Sequence, residues 1–287
     1  MLIPCIWHLG KFSWDIALPS FILSGVNICE ILGIENCHIE GPIAVILISG
    51  RHSVKDYAQI NECAARFNKV VFFIYGDEEG IFQIDKLQHM NKLVWWAMPP
   101  FLSQAPSRVV INGWPSEATS LIAQVGEVER VYDVSFMGQN THVRRELCVE
   151  AMKKLSCNVK LLATPGFTQG VPREEYYRVM KQSKFVACPS GPCTVDSFRI
   201  AECLEAGAIP IADELSPNPL WRPGYWSYAF GETHLPFPCV TDWGTLPNVL
   251  DEWLPHWDEL SLLCAAWWQL KKREWINQMR EDLTCGY

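Results

Sequence analysis

The sequence has no apolar run long enough to cross a bilayer. Its best, Ile43 to Ser49, is strand length, whereas a spanning helix needs about 18–20 residues, so no membrane span is expected. Met1 to Gly10 lacks both a basic start and a long apolar stretch; it reads as a first buried strand rather than a signal peptide, and the chain is expected to be cytoplasmic. CxxC and HExxH spacings are absent, which argues against a structural zinc and a zinc hydrolase. Basic charge is scarce as well. Lys+Arg number 24 against 32 Asp+Glu, a net charge of −8. The excess is shared, with 9 against 13 in residues 1–130 and 15 against 19 in the remainder. Phosphate neutralisation supplies most nucleic-acid affinity, so this balance disfavours such a partner.

What is present describes a globular protein. The chain has 287 residues, 49% of them hydrophobic, enough for two cores. Its 12 cysteines are scattered through a chain too large to need staples, and they read as reduced, mostly buried thiols. In the first half, short β-branched runs alternate with amphipathic stretches. Leu2–Trp7, Ala44–Ser49, Val70–Tyr75, Leu93–Ala97 and Val109–Asn112 read as buried parallel strands, and Val54–Phe67 as a helix. The second half repeats the theme: strands at Val134–Met137, Val159–Ala163, Phe185–Pro189 and Ile209–Ala212, with helices at Arg144–Leu155, Arg173–Gln182 and Asp196–Ala206. His256–Leu283 predicts one long helix whose Trp257, Trp267, Trp268 and Trp275 are packing residues. The fold class is α/β, with one domain over 1–130 and a second over 131–287.

The most informative stretch runs from Ser190 to Ile211. A strand leads into a Gly/Pro loop, then a helix, a Gly stop and another strand. The loop lets backbone approach a ligand closely, and a helix starting near Asp196-Ser197 offers free N–H groups to an anion such as a diphosphate. Arg199 and Glu202 follow at i and i+3. The arginine suits phosphate oxygens and the carboxylate suits ribose hydroxyls, while an ordinary intrahelical ion pair is the plainer alternative.

These residues resemble the exostosin-like glycosyltransferases, through Gly191, Pro192, Asp196, Ser197, Phe198, Arg199, Glu202, Gly207, Ile209 and Pro210. A second piece, Ser135-Phe136-Met137-Gly138-Gln139-Asn140-Thr141-His142 followed by Arg144-Arg145, is similar to that family's strand, Gly loop and Arg-bearing helix start. The resemblance covers about residues 134–212. It implies a GT-B fold, two Rossmann-like domains facing a cleft, with 1–130 binding the acceptor and 131–287 the donor. It also implies a nucleoside-diphosphate sugar, UDP-sugar first, and hexosyl or pentosyl transfer to a hydroxyl acceptor. By it Glu202 holds the ribose, Arg199 with Arg144 or Arg145 holds the diphosphate, Gly138 and Gly191 allow close backbone approach, and Ser190, Asp196 and Ser197 complete the donor site. The absence of a secretory anchor departs from animal exostosins and suggests a bacterial or viral relative.

No Asp-x-Asp occurs, so arginine and a helix N-terminus are expected to replace a metal, with no cofactor beyond the co-substrate. A base on the acceptor is sought after the early strands, at Asp77, His52 or His8, with Asp77 and His52 ranked above His8. Other readings stay open: a phage-type enzyme glycosylating hydroxymethylated pyrimidines in DNA, with Lys11, Arg51, Lys55 and Arg66 along its edge; a GT-B sugar epimerase; and a non-catalytic sugar-nucleotide-binding module.

Overall fold

The structure, a computed structural model, describes residues 2–9, 16–100, 106–166 and 169–284. The chain divides into two compact units. One comprises Met1–Ser116, Ala229–Gly231 and Lys271–Tyr287, the other Glu117–Tyr228 and Glu232–Leu270.

In the first unit, β1 (Ile3–Trp7), α1 (Ala17–Leu23), β2 (Ile28–Leu32), β3 (Gly41–Ser49), α2 (Tyr57–Ala64), β4 (Phe67–Tyr75), β5 (Lys92–Ala97) and β6 (Arg108–Val110) follow in order. The strands form a parallel sheet ordered β2-β1-β3-β4-β5-β6. Covered on both faces, β3 and β4 are apolar almost throughout, and Ile46, Ile48, Phe72, Ile74 and Trp96 are the centre of the core. In this unit the strand absent from the sequence reading is β2. It is a sheet edge with Cys29 and Glu30 exposed, so it offers no continuous apolar run.

The second unit contains α3 (Ala118–Val125), β7 (Tyr132–Gln139), α4 (Val143–Met152), β8 (Val159–Thr164), α5 (Arg173–Lys181), β9 (Ser183–Cys188), α6 (Phe198–Glu205), β10 (Ile209–Asp213), β11 (Cys239–Val240) and α8 (Leu246–Trp253), with α7 (Tyr225–Phe230) preceding β11. Its sheet is again parallel, ordered β11-β10-β9-β7-β8. The long α9 (Trp257–Thr284) starts in the second unit and ends in the first. Its tryptophans pack: Trp268 is buried with Nε1 on Glu205 at 2.8 Å, and Trp275 stacks on Phe230 at 6.2 Å. The cysteines among the described residues are free thiols.

The unit boundary differs from the sequence division at residue 130 in two places. α3 packs on α5, and Lys181 donates to the carbonyls of Ile122 and Gly126, so residues from Glu117 onward join the second unit. The end of α9 joins the first because Asp282 accepts from Trp95 Nε1 and Arg108 Nη2, both at 3.0 Å. Periodicity marks a helix but does not say which sheet it serves.

Candidate functional site

In both sheets the chain first steps outward and then crosses back, so the winding reverses between β1 and β3 and between β7 and β9. Open α/β sheets bind ligands beyond the carboxyl ends of the strands at such a reversal. In the second unit that point is lined by Met137 and Gly138 from the end of β7, Ser190 and Gly191 beyond β9, and the start of α6. The sequence reading had singled out these segments.

Arg199, in the first turn of α6, is buried. Its Nη2 donates to the Met137 carbonyl at 3.3 Å and its guanidinium lies 4.9 Å from the centre of the Phe136 ring. Nε and Nη1 meet no hydrogen-bond partner among the described residues. Gly138 leaves it room, because a Cβ there would crowd Arg199 Nη2 and force the guanidinium to shift. The α6 N-terminus is open too. Ser197 has the extended backbone of an N-cap, makes no side-chain cap bond, and its Oγ, like Ser190 Oγ, is buried without a partner. A buried cation with spare donors, next to an uncapped helix start, is the arrangement that anions fill.

The two other predicted arginines are employed differently. Arg144 is locked to the fully buried Asp213, Nε on Oδ2 at 3.1 Å and Nη2 on Oδ1 at 2.5 Å, with a further bond to the Thr241 carbonyl. Asp213 also accepts from Trp243 Nε1 at 3.0 Å and from Ser190 N at 3.3 Å, so this ion pair anchors the loop after β9. Arg145 spans the reversal itself, Nε on Ser190 O at 3.2 Å and Nη1 on Gln139 O at 3.1 Å. Both arginines thus shape the walls; of the three, Arg199 is the one with buried nitrogens that make no hydrogen bond among the described residues.

Glu202 lies buried one turn after Arg199. Tyr176 and Tyr177 hydroxyls donate to its two oxygens at 2.9 and 2.7 Å, and burial raises its pKa. A carboxylate has about four acceptor sites, so two remain for a ribose. The plain alternative of a direct Arg199–Glu202 hydrogen-bonded pair is not what forms: the tyrosines hold the carboxylate. Asp196 is also directed inward, accepting from the buried Tyr225 hydroxyl at 2.9 Å. Sequence reasoning missed Tyr176, Tyr177 and Asp213. The first two were legible only as residues of an amphipathic helix, and Asp213 only as the end of a strand.

In the first unit, His8, His52 and Asp77 stand just beyond β1, β3 and β4, three adjacent strands. His8 is buried at the reversal, with Nδ1 2.9 Å from Ser53 Oγ and Nε2 3.6 Å from Asp56 Oδ2; burial lowers its pKa. Asp77 is fully buried and accepts from the backbone N–H groups of Ile81 (3.0 Å) and Phe82 (3.2 Å); burial pushes its pKa up to about 6. His52 alone of the three is exposed. Of the basic residues considered for a DNA edge, Lys11 lies outside the described residues, Arg51 pairs with Glu79 at 3.3 Å, and Arg66 pairs with Glu62 at 3.7 Å. Among the described residues no group of three His, Cys, Asp or Glu is placed to hold a metal ion, and no helix is long and apolar enough to cross a membrane.

Two solved structures align along almost the whole chain. Anabaena HepE in complex with UDP matches with a TM-score of 0.54 at 12% identity, covering 99% of this chain and 100% of that one. The same protein in complex with UDP and glucose matches with a TM-score of 0.51 at 12% identity, covering 99% of each chain. The fold is GT-B. No family model matches the sequence, and no curated protein matches it significantly. The GT-B match and the parallel sheets agree on architecture: two parallel α/β halves and a terminal helix returning to the first of them.

Proposed function

We propose that this chain is a glycosyltransferase, related to the exostosin-like group, that moves a sugar from a UDP-sugar to a hydroxyl acceptor. The observation that carries the reading is Arg199, a buried guanidinium whose Nε and Nη1 make no hydrogen bond among the described residues, at the open N-terminus of α6. Spare donors on a buried cation are costly even beside the charge of Glu202 and the Tyr176 hydroxyl, and a diphosphate that accepts from them offsets that cost. That HepE, of the same fold, is in complex with UDP supports uridine as the first nucleotide to test.

In this reading Arg199, Ser190 and Ser197 bind the diphosphate, Arg144 and Arg145 hold the loops that present it, Gly138 and Gly191 give it room, and Glu202 uses its remaining lone pairs on the ribose. Asp196 acts indirectly, fixing the loop through Tyr225. Negative charge moves onto the diphosphate as the glycosidic bond breaks, so Arg199 and the helix N-terminus stabilise the transition state in place of a metal. On the acceptor side His52 is favoured as base over Asp77 and His8, because it is exposed while the Asp77 carboxylate and the His8 ring are buried and bonded locally.

A donor screen scored by nucleoside-diphosphate release, with and without glycan acceptors and hydroxymethylated DNA, tests the proposal. Turnover of a UDP-sugar that persists in EDTA is expected. Activity lost in EDTA and restored by manganese would overturn the metal-independent part. Failure of the wild-type chain to bind any nucleotide or release it from any donor would overturn the whole.

A further inference from the structure

The loop between β7 and α4 is fixed by its backbone. Asn140 N donates to Thr164 O at 2.7 Å, and the His142 carbonyl caps α4 by accepting from Arg145 N at 3.0 Å and Glu146 N at 3.1 Å. The side chains are left over. His142 caps without its ring; apart from an approach to the Ser190 backbone that raises its pKa, its ring nitrogens, like Asn140 Oδ1, are shut off from solvent and make no well-formed hydrogen bond among the described residues. An unpaired buried polar atom is expensive. Both residues follow directly on the strand that carries Arg199's carbonyl partner, and their unmet hydrogen-bonding capacity points to a ligand.

The chemistry of these atoms divides that ligand in two. Arg199 only donates and asks for phosphate oxygens. Asn140 Oδ1 only accepts, and an ionised phosphate diester has no proton to give it; a hydroxyl or amide does. His142 is neutral, its pKa lowered to about 4 by burial first and then by the charge of Arg145. A neutral imidazole presents one donor and one acceptor, the complement of a hydroxyl.

We propose that Asn140 and His142 form the subsite that receives the sugar of the donor, reading its hydroxyls next to the diphosphate held by Arg199. This rests on the donor assignment above, and it says which part of the donor the loop recognises.

Calorimetry with UDP and with a panel of UDP-hexoses and UDP-pentoses tests it. His142→Ala and Asn140→Ala should each weaken the preferred UDP-sugar by about tenfold, the loss of one well-placed hydrogen bond, and change UDP by less than about twofold. His142→Gln, which keeps a donor and an acceptor, should stay within about threefold of wild type on both ligands. Equal weakening of UDP and UDP-sugar, or no weakening of either, overturns the subsite. If His142→Ala fails to fold, the Asn140→Ala comparison decides alone. A wild-type chain that binds UDP but shows these negative results leaves the donor site standing and removes only the sugar assignment; one that binds neither ligand removes both.

Discussion

Replacing Arg199 and Arg144 in turn by methionine, which keeps length and apolar bulk, should produce opposite results from the same chemical change. Arg144→Met strips the partner from Asp213, which is fully buried. Removing one half of a buried pair costs about 3–5 kcal/mol. The donors that remain on Asp213, Trp243 Nε1, Ser190 N and Leu215 N, place the expected loss at the lower end, about 3 kcal/mol. At about 2–4 °C per kcal/mol, the melting temperature should fall by roughly 6–12 °C. Arg199→Met removes much less. Its one backbone bond is long, at 3.3 Å, and with the Phe136 contact it contributes about 1–2 kcal/mol. Against this stands the relief of a buried guanidinium whose Nε and Nη1 are unpaired, while Glu202 loses a nearby positive charge but keeps both tyrosine donors, so the net loss should stay below that of Arg144→Met, at no more than about 2 kcal/mol. Turnover should respond the other way. Arg199→Met is expected to lower kcat by about 10²–10³, the range for losing one preorganised donor to developing charge. Lysine should restore only part of it, lacking the planar fork. Thermal melts and nucleoside-diphosphate release on the same preparations check both limbs. A folded Arg199→Met protein with wild-type kcat refutes the diphosphate role, and an Arg144→Met protein that melts like wild type refutes the anchoring role of Asp213.

Gly138→Ala places a methyl within 2.4 Å of Arg199 Nη2 and must push the guanidinium away from the Met137 carbonyl. We expect a loss of UDP affinity of about tenfold with a melting temperature near wild type, and unchanged affinity by calorimetry would show that Arg199 does not meet the nucleotide. Asp77 supplies a pH test. Its folded pKa of about 6 lies above the unfolded value of about 3.9, so the folded state binds the proton more tightly. Stability should therefore rise as pH falls from about 6 to about 4, by up to about 3 kcal/mol, and be lowest above pH 6 where the buried carboxylate is charged. Asp77→Asn should flatten that limb in melts recorded against pH, and a mutant with an undiminished slope would contradict the assignment.

The architecture was legible because parallel strands covered on both faces must be apolar throughout, and loops between them must carry Gly, Pro or polar clusters. The strands and helices expected from Val134 to Ala212 each appear, shifted by only a few residues at their ends. β2 escaped for the same reason in reverse: one exposed edge removes the need for the run. The gathering of Gly138, Ser190, Gly191, Ser197 and Arg199 beyond the ends of β7 and β9 was legible in the loops, since Gly, Ser and Arg at that spacing declare backbone access and anion chemistry.

What sequence spacing does not carry is the choice among equivalent residues. Arg144, Arg145 and Arg199 offer the same guanidinium, yet one finds a carboxylate 69 positions away, one finds two carbonyls on either side of the sheet reversal, and one finds too few acceptors. That distribution is decided by which strand ends become neighbours, a long-range fact absent from any local window. Glu202 makes the same point: local spacing pairs it with Arg199, whereas the fold gives its oxygens to Tyr176 and Tyr177 on α5. In each case the fold, rather than the neighbours in sequence, decides which residue keeps unmet hydrogen-bonding capacity. That criterion is why the proposal gives Arg199, Ser190 and Ser197 to the diphosphate, and Asn140 and His142 to what is bonded to it.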